Sequence, residues 1–320
     1  MDKTQTPARI WKVMKKQKAL IAIIAFFVIM PFLSPYFLTG ANLSALMLQV
    51  TILLIMAFGV TFCIVSGECD LSLGTNMCLT GILAIQLQKY LPLPAILLVV
   101  LAVGLIVGAI NAFIVVDQDA NSFICTLGMM MVLRGISLVA SNGKPVAGSS
   151  QMYVYFGNGK FLGINFITWL AAAMFVVCWW VMTHTQFGRN CFAVGGDKGV
   201  AAYSGINTKR HLRITFLISG MCAALAGFCF SAELNSGSAT YGENTALLVN
   251  CGVVVGGTPF NGGYGGIVQS LVGIFLLGIL ENAMSLKNIS SYYQQLIRGI
   301  VIVFVIAMDC HARKVKREDV

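Results

Sequence analysis

The chain has 320 residues, of which 58% are hydrophobic and only 10% are charged, and its formal net charge is +9. A soluble domain carries roughly a quarter charged residues, so this composition excludes a water-soluble protein and places most of the outer surface in lipid. The basic residues collect at the chain ends and in one internal loop rather than on one helical face, which argues against nucleic-acid binding.

Apolar stretches of about twenty residues without period-two alternation predict membrane-spanning helices rather than a barrel. After a basic segment at residues 1–18, the sequence predicts about ten spans: 19–38, 43–66, 71–90, 93–116, 120–140, 164–183, 212–233, 244–256, 264–285 and 292–309. The eighth is short for a full crossing, and short or interrupted helices occur where the backbone lines a cavity in a transporter. The predicted fold class is an all-α integral membrane protein, with residues 1–320 forming one transmembrane domain.

Lysine and arginine residues are divided unevenly between the two sides of this predicted bundle. With the N-terminus in the cytoplasm, fifteen fall on the cytoplasmic side and four on the outside, while Arg134 and Arg298 lie within spans. Positive charge collects in cytoplasmic loops. The N-terminal segment 1–18 and the tail 310–320 are therefore both predicted to be cytoplasmic, in agreement with an even number of spans.

The predicted cytoplasmic loop 184–211 contains a short helix at residues 199–204. Asp197 is suited to cap its N-terminus, because its side chain can accept hydrogen bonds from the first free amides. Gly205, just past the end, is suited to the C-terminal cap. A capped helix in a cytoplasmic loop has no packing role inside the bilayer, so this segment is a predicted docking element.

Three ionisable residues lie inside predicted spans, where each is costly unless it is paired or hydrated. Arg134, Glu281 and Arg298 all fall at a similar depth, about 10 Å from the extracytoplasmic ends of their spans. One hypothesis is that Glu281 pairs with Arg298 or Arg134 beside an outward-facing vestibule. The alternative is that these side chains reach back to the membrane interface.

Glycine-rich sequences interrupt the predicted spans on the cytoplasmic side. In residues 66–74 (SGECDLSLG), Asp70 or Ser72 either caps the third span or contacts a solute. Residues 256–266 form a second break that suits a gate or close helix packing. A GxxxG spacing at residues 104–108 also favours close helix packing.

Several kinds of chemistry have no signature in the chain. The sequence contains no Walker A, HExxH, GxSxG or CxxC pattern. No catalytic, metal-binding or cofactor-binding residue is therefore predicted. If ATP drives the protein, ATP and Mg are used by a separate subunit.

Five stretches in the correct order resemble the permease subunits of ribose-, xylose- and galactose-type ATP-binding-cassette importers. Residues 66–74 resemble that family's SGGIDLSVG motif. Residues 123–127 (FICTL) with 133–135 (LRG) resemble its FIATL…LLRG stretch. The remaining matches are to its cytoplasmic loop, its glycine turn and its SSYYQ motif, at residues 187–189 (FGR), 195–197 (GGD), 201–202 (AA), 204–207 (SGIN), 256–258 (GGT), 262–265 (GGYG) and 290–294 (SSYYQ).

The resemblance implies a multi-pass permease of the bacterial inner membrane with a type II importer fold. Its implied partners are a second permease subunit, identical or closely related, a cytoplasmic ATPase and a periplasmic sugar-binding protein. In such importers a short helix of the permease inserts into a groove of the ATPase. ATP-driven closure then switches the permease pair between outward- and inward-facing states, and a monosaccharide passes between them.

The resemblance also indicates two sets of site residues. The set expected to couple to the ATPase is Gly196, Asp197, Ala201, Ala202, Ser204, Gly205 and Ile206. The set expected to line the translocation path or its gate is Asp70, Ser72, Asn121, Phe123, Arg134, Glu281, Asn282 and Arg298.

The chain departs from the family pattern at three positions, and other functions stay open. Glu68 and Cys69 replace Gly and Ile in the first motif, and Glu281 stands where ribose-type permeases usually carry Asn. The cargo is therefore open among pentoses, hexoses, polyols and signalling sugars. A secondary transporter or channel that needs no ATPase is the main alternative, and an intramembrane enzyme lacks any catalytic constellation.

Overall fold

The computed structural model describes residues 18–242 and 244–318, and this part of the chain is almost entirely helical. Residues 1–17 of the predicted N-terminal segment and the last two residues of the tail lie outside it. The helices are α1 (Lys18–Leu33), α2 (Gly40–Val65), α3 (Leu73–Leu87), α4 (Leu93–Ala112), α5 (Ser122–Ser141), α6 (Gln151–Asn158), α7 (Phe166–His184), α8 (Gln186–Gly196), α9 (Lys198–Tyr203), α10 (Thr208–Leu234), α11 (Thr245–Val255), α12 (Ile267–Leu286) and α13 (Ser291–Glu318). A π-helical turn, Phe113–Asp117, extends α4.

Four two-residue strands form two small antiparallel pairs outside the helices. β1 (Val146–Ala147) pairs with β4 (Ser236–Gly237), and β2 (Lys160–Phe161) pairs with β3 (Ile164–Asn165). The strands are too short to change the fold class, so the all-α prediction is confirmed.

Each predicted span coincides with a helix, but the helices differ in length. Six in the described part are long and apolar enough to cross a membrane: α2, α4 with its π-turn, α5, α7, α10 and α12. Shorter apolar helices occur at residues 23–32 of α1, in α3 and in α11. A total of ten crossings stays a prediction.

Helix α10 lies at the centre of the bundle and packs against α2, α3 and α4. Its backbone lies close to α4, because a side chain at Gly104 or Gly108 would collide with the carbonyl oxygens of Gly220 and Phe216. The GxxxG spacing therefore serves close helix packing, as predicted. In α2, 89% of the apolar 18-residue stretch is buried inside the protein, whereas the corresponding shares are 22% in α5 and 17% in α7.

Two short helices are absent from the sequence prediction. The loop 184–211 holds α8 as well as α9, and the loop 141–163 holds α6. In α8, Cys191 and Val194 are buried. This three-residue spacing is typical of one face of a helix, but the two residues lie among glycine and polar residues that favour a loop.

The segments that connect the long helices gather at two ends of the bundle. At the end that includes α9, the hydroxyl of Ser66 lies 3.4 Å from Nε2 of His211, which joins the C-terminus of α2 to the start of α10. At the other end, which includes α6, the side chain of Gln88 accepts a hydrogen bond from the amide of Ser149 at 3.0 Å. These are called the α9 end and the α6 end below.

Candidate functional site

Helix α9 is a six-residue helix with a cap at each end. The carboxylate of Asp197 accepts a hydrogen bond from the amide of Val200 at 2.9 Å. Gly205 has a φ of 85°, and the amides of Gly205 and Ile206 donate to carbonyls of α9 at 3.0 and 3.1 Å. This is the Schellman arrangement, which favours glycine at its left-handed position. Both predicted caps are present, and the helix begins one residue before the predicted start.

One face of α9 packs inward and the opposite face is exposed. Ala201 is buried, whereas Val200 is 62% exposed and Tyr203 is 95% exposed. Of the other predicted coupling residues, Ile206 is half-buried and the exposed ones are Gly196, Asp197, Ala202, Ser204 and Gly205. An exposed aromatic side chain beside an exposed aliphatic one is typical of a docking surface. The sequence analysis did not select Val200 and Tyr203, although helical spacing places them opposite Ala201.

Three glycine-containing segments meet beside α9. The amide of Gly263 donates to the carbonyl oxygen of Val65 at 2.8 Å. A side chain at Gly195 would collide with that same carbonyl oxygen, and one at Gly262 would collide with the amide of Gly67. We call this contact of residues 65–67, 195–196 and 262–263 the glycine junction. It brings together three motifs that the sequence analysis treated separately.

The loop that follows α2 is held by a buried carboxylate. Asp70 accepts hydrogen bonds from the amide and the hydroxyl of Ser72, at 2.9 and 2.7 Å, and from the hydroxyl of Ser219 at 2.6 Å. The hydroxyl of Ser72 in turn accepts a hydrogen bond from the side chain of Asn111 at 2.9 Å. Ser72 stands at the N-cap position of α3, but its side chain makes no capping bond. The predicted side-chain cap of α3 is therefore wrong, because both side chains bond within the loop and to neighbouring helices instead.

A non-helical segment, residues 235–242 and 244, runs back into the bundle beside α3. Gly237 lies against Ile82, and a side chain at Gly242 would collide with the carbonyl oxygen of Gly74. Since α3 has 15 residues, the segment reaches roughly 20 Å from the α6 end. Non-helical backbone at such depth occurs where it is buried in protein or lines a cavity. The predicted interruption before the short span is present, and the described segment includes three exposed polar residues: Thr240, Tyr241 and Asn244.

A buried polar cluster joins α2, α12 and α13 near the α6 end. The carboxylate of Glu281 lies 3.2 Å from the guanidinium of Arg298 and accepts a hydrogen bond from the side chain of Gln49 at 2.9 Å. Asn282 and Asn42 exchange side-chain hydrogen bonds at 2.8 and 3.1 Å. The hypothesis that Glu281 pairs with Arg298 agrees with this geometry, and the sequence analysis missed Gln49 and Asn42.

The other predicted path residues lie on α5, which packs mainly against α3. Asn121 caps α5 by accepting a hydrogen bond from the amide of Ile124 at 3.2 Å. Phe123 is 50% exposed and Arg134 is also exposed. The structure does not join these residues with Glu281 in one site. The partner it gives Glu281 is Arg298 rather than Arg134.

The cysteines in the described part of the chain are not grouped in a way that suits metal binding. Within residues 18–242 and 244–318, no group of three or more His, Cys, Asp or Glu side chains is placed to hold a metal ion. Cys191, on α8 behind the glycine junction, is fully buried, and this burial raises the pKa of its thiol to about 12. The thiol therefore behaves as a small apolar group.

The family model described as "Branched-chain amino acid transport system / permease component" matches residues 42–306. The chain belongs to this family. The matched region contains α9, the glycine junction, the Asp70 loop and the Glu281 cluster. These features are therefore parts of a permease.

Curated relatives of this permease are named for sugars. It is 35% identical over 303 residues to the ribose import permease protein RbsC of Escherichia coli K12, covering 92% of this chain and 93% of the relative. It is 33% identical over 280 residues to the D-allose transport system permease protein AlsC of the same strain, covering 87% and 86%. It is 31% identical over 326 residues to the L-arabinose ABC transporter permease protein AraH of Azospirillum brasilense, covering 99% and 95%. No solved structure matches. The predicted resemblance to sugar-type permeases is confirmed.

Proposed function

We propose that this chain is the membrane-spanning permease subunit of an ATP-binding-cassette importer that brings a monosaccharide into the bacterial cytoplasm. The names of its ribose, allose and arabinose relatives support the solute class. In this proposal the chain crosses the inner membrane ten times, with both termini in the cytoplasm. The observation that carries the proposal is α9, a capped and exposed helix at the end that the charge distribution assigns to the cytoplasm.

The proposed partner at the α9 end is a cytoplasmic ATPase, which binds and hydrolyses ATP with Mg. The chain has no phosphate-binding loop of its own. Val200 and Tyr203 are the side chains that would enter an apolar groove of the ATPase, because they are the most exposed apolar groups of α9. Closure of the ATPase would displace α9, and the glycine junction would pass this displacement to α2 and to the turn before α12.

The proposed path for the solute lies between two copies of the permease or between two related permeases. A periplasmic sugar-binding protein would deliver the solute at the α6 end, near the Glu281 cluster. Thr240, Tyr241 and Asn244 are exposed at a depth where contact with lipid is unfavourable. Their hydroxyl, phenol and amide groups match a polyhydroxylated solute, so we assign this face to the path.

The coupling role is tested by purifying the permease with candidate ATPases and binding proteins. We expect ATP turnover that rises with sugar-loaded binding protein. Tyr203→Ala should weaken ATPase binding by about tenfold or more, since buried aromatic anchors are worth roughly 2 kcal/mol or more. The matched control is Tyr90→Ala, because Tyr90 is 79% exposed but lies beyond α3 at the α6 end. Solute transport without any ATPase would overturn the proposal and favour a secondary transporter or channel.

The path is tested by the uptake of labelled ribose, allose and arabinose into proteoliposomes. Asn244→Ala should reduce uptake of the transported sugar by about tenfold, because the removed amide leaves a polar solute without a partner. The control is Asn142→Gly, which removes an exposed amide at the C-terminus of α5, where the φ of 51° suits glycine. Unchanged uptake by the Asn244 variant would remove this face from the path.

A further inference from the structure

An ion pair connects α9 to the loop that follows α2. The ammonium group of Lys198, the first residue of α9, lies 2.5 Å from the carboxylate of Glu68. The side chain of Glu68 is only 8% exposed, whereas that of Lys198 is 52% exposed. One partner is therefore fixed in the bundle, and the other belongs to the helix that faces the proposed ATPase.

Because Glu68 is buried and Lys198 is half-exposed, breaking the ion pair costs more free energy at Glu68 than at Lys198. A buried carboxylate that loses its counter-ion is left uncompensated, which is strongly unfavourable. The lysine, being half-exposed, loses little when it returns to water. If α9 moved away from the loop, most of the free-energy cost would come from the unpaired carboxylate of Glu68. This cost is avoided if the loop that carries Glu68 moves together with α9.

The loop that carries Glu68 is attached to two further helices. The amides of Cys69 and Leu71 donate to the hydroxyls of Ser122 and Thr126 on α5, at 3.2 and 3.0 Å. Through Asp70 the same loop bonds to Ser219 of α10. Displacement of Glu68 therefore acts on the N-terminal end of α5 and on the middle of α10 at Ser219, and the next helix along the chain is α3.

We propose that Glu68 and Lys198 are positioning residues that couple α9 to the 66–72 loop, so that displacement of α9 by the ATPase moves α10 and the N-terminal ends of α3 and α5. This inference rests on the proposed function. It adds an electrostatic connection to the backbone contacts of the glycine junction. The resemblance described above has glycine in place of Glu68, so the connection distinguishes this chain from the family pattern.

The test uses the full permease in nanodiscs or proteoliposomes with its ATPase and sugar-loaded binding protein. In Glu68→Gln and in Lys198→Gln we expect the ATP hydrolysed per transported sugar to rise by roughly fivefold or more, the size of a typical coupling between separate sites. Lys198→Arg, which keeps the charge, should retain the wild-type ratio. The exchange Glu68→Lys with Lys198→Glu should recover part of it.

Controls separate coupling from folding and from the proposed function. Lys209→Gln removes an exposed charge from the same region and should leave the ratio unchanged. If Glu68→Gln does not fold, Lys198→Gln against Lys198→Arg decides the question. A wild-type ratio in Lys198→Gln, with the ATPase bound and transport intact, would overturn the inference alone. Failure of the wild-type chain to bind any ATPase would instead overturn the proposed function.

Discussion

At the residue scale, Asp70 shows how this protein accommodates a carboxylate inside an apolar bundle. It is 1% exposed, and its oxygens accept hydrogen bonds from one amide and two hydroxyl groups. Burial raises the pKa of this carboxyl group, the three hydrogen bonds oppose that shift, and they fix the loop between α2 and α3. Residues 66–72 thus have a defined conformation although they form no regular secondary structure.

We expect Asp70→Asn to lower the thermal stability of the purified permease, although the side chain keeps its size. The amide presents donors where Asp70 presented only acceptors, so at least one hydroxyl or amide of the loop loses its partner, at a cost of about 1–3 kcal/mol. The measurement is the melting temperature in detergent. Asp119→Asn serves as control, because Asp119 is exposed and has a φ of 53°, which asparagine tolerates. Equal melting of the Asp70 variant and the wild type would contradict the expectation.

The buried thiol of Cys191 gives a second prediction at this scale. With a pKa of about 12, almost no thiolate exists at pH 8. Since the thiol is also fully buried, its alkylation should be slow in the folded protein and should quicken when the protein is unfolded at the same pH. Peptide mapping after maleimide treatment measures it, with Ala202→Cys on the exposed face of α9 as the reactive reference. Comparable labelling of both cysteines at pH 7 would refute it.

At the element scale, the glycine junction replaces side-chain packing by direct backbone contact. The C-terminus of α2, the end of α8 and the turn before α12 approach so closely that no side chain fits at Gly195 or Gly262. Backbone contact transmits displacement with little slack, since no rotamer change can absorb it. We therefore expect the three elements to move as one unit, with α9 attached.

Two neighbouring glycines distinguish a need for close packing from a need for the backbone freedom of glycine. Gly195→Ala should reduce the folded yield and the melting temperature, because overpacking at a fixed backbone contact costs roughly 1–3 kcal/mol. Gly196→Ala should leave both unchanged, since a side chain there meets nothing within 4 Å. Size-exclusion chromatography and thermal melting compare the two variants. Similar behaviour of both would show that the junction yields to a methyl group.

At the scale of the whole molecule, the bundle has two chemically different ends. The α9 end carries the glycine junction and the Glu68–Lys198 pair, whereas the α6 end carries the Glu281 cluster and the two strand pairs. This polarity is what an importer needs, because delivery of solute and use of ATP occur on opposite sides of the membrane.

We expect a membrane-impermeant maleimide to distinguish these ends in intact cells. Ser149→Cys, at the α6 end, should be labelled from outside, and Ala202→Cys, on α9, only after the membrane is broken. The physical reason is the excess of Lys and Arg in the loops at the α9 end. Labelling above that of the wild-type chain is the readout. The reversed pattern would invert the proposed orientation and place α9 out of reach of any cytoplasmic ATPase.

Features that depend on a few consecutive residues could be predicted from the sequence. The positions of the spans follow from local hydrophobicity, and the caps of α9 follow from Asp197 and Gly205, whose partners lie within four residues. The Ser72 prediction failed because a serine at an N-cap position has competing partners. Here those partners, Asp70 and Asn111, come from the loop and from α4.

The sequence alone determined that this protein is a helical membrane permease, and it placed the short capped helix α9 to within one residue at each end. Only the tertiary structure decided that Glu281 bonds to Gln49, that Glu68 pairs with Lys198, and that three glycine segments share one contact. The reason is that α2 and its neighbours are apolar on nearly all sides. Their sequences therefore carry little information about how each helix is rotated about its axis or which helix it packs against. Those contacts are set by packing between helices far apart in the chain.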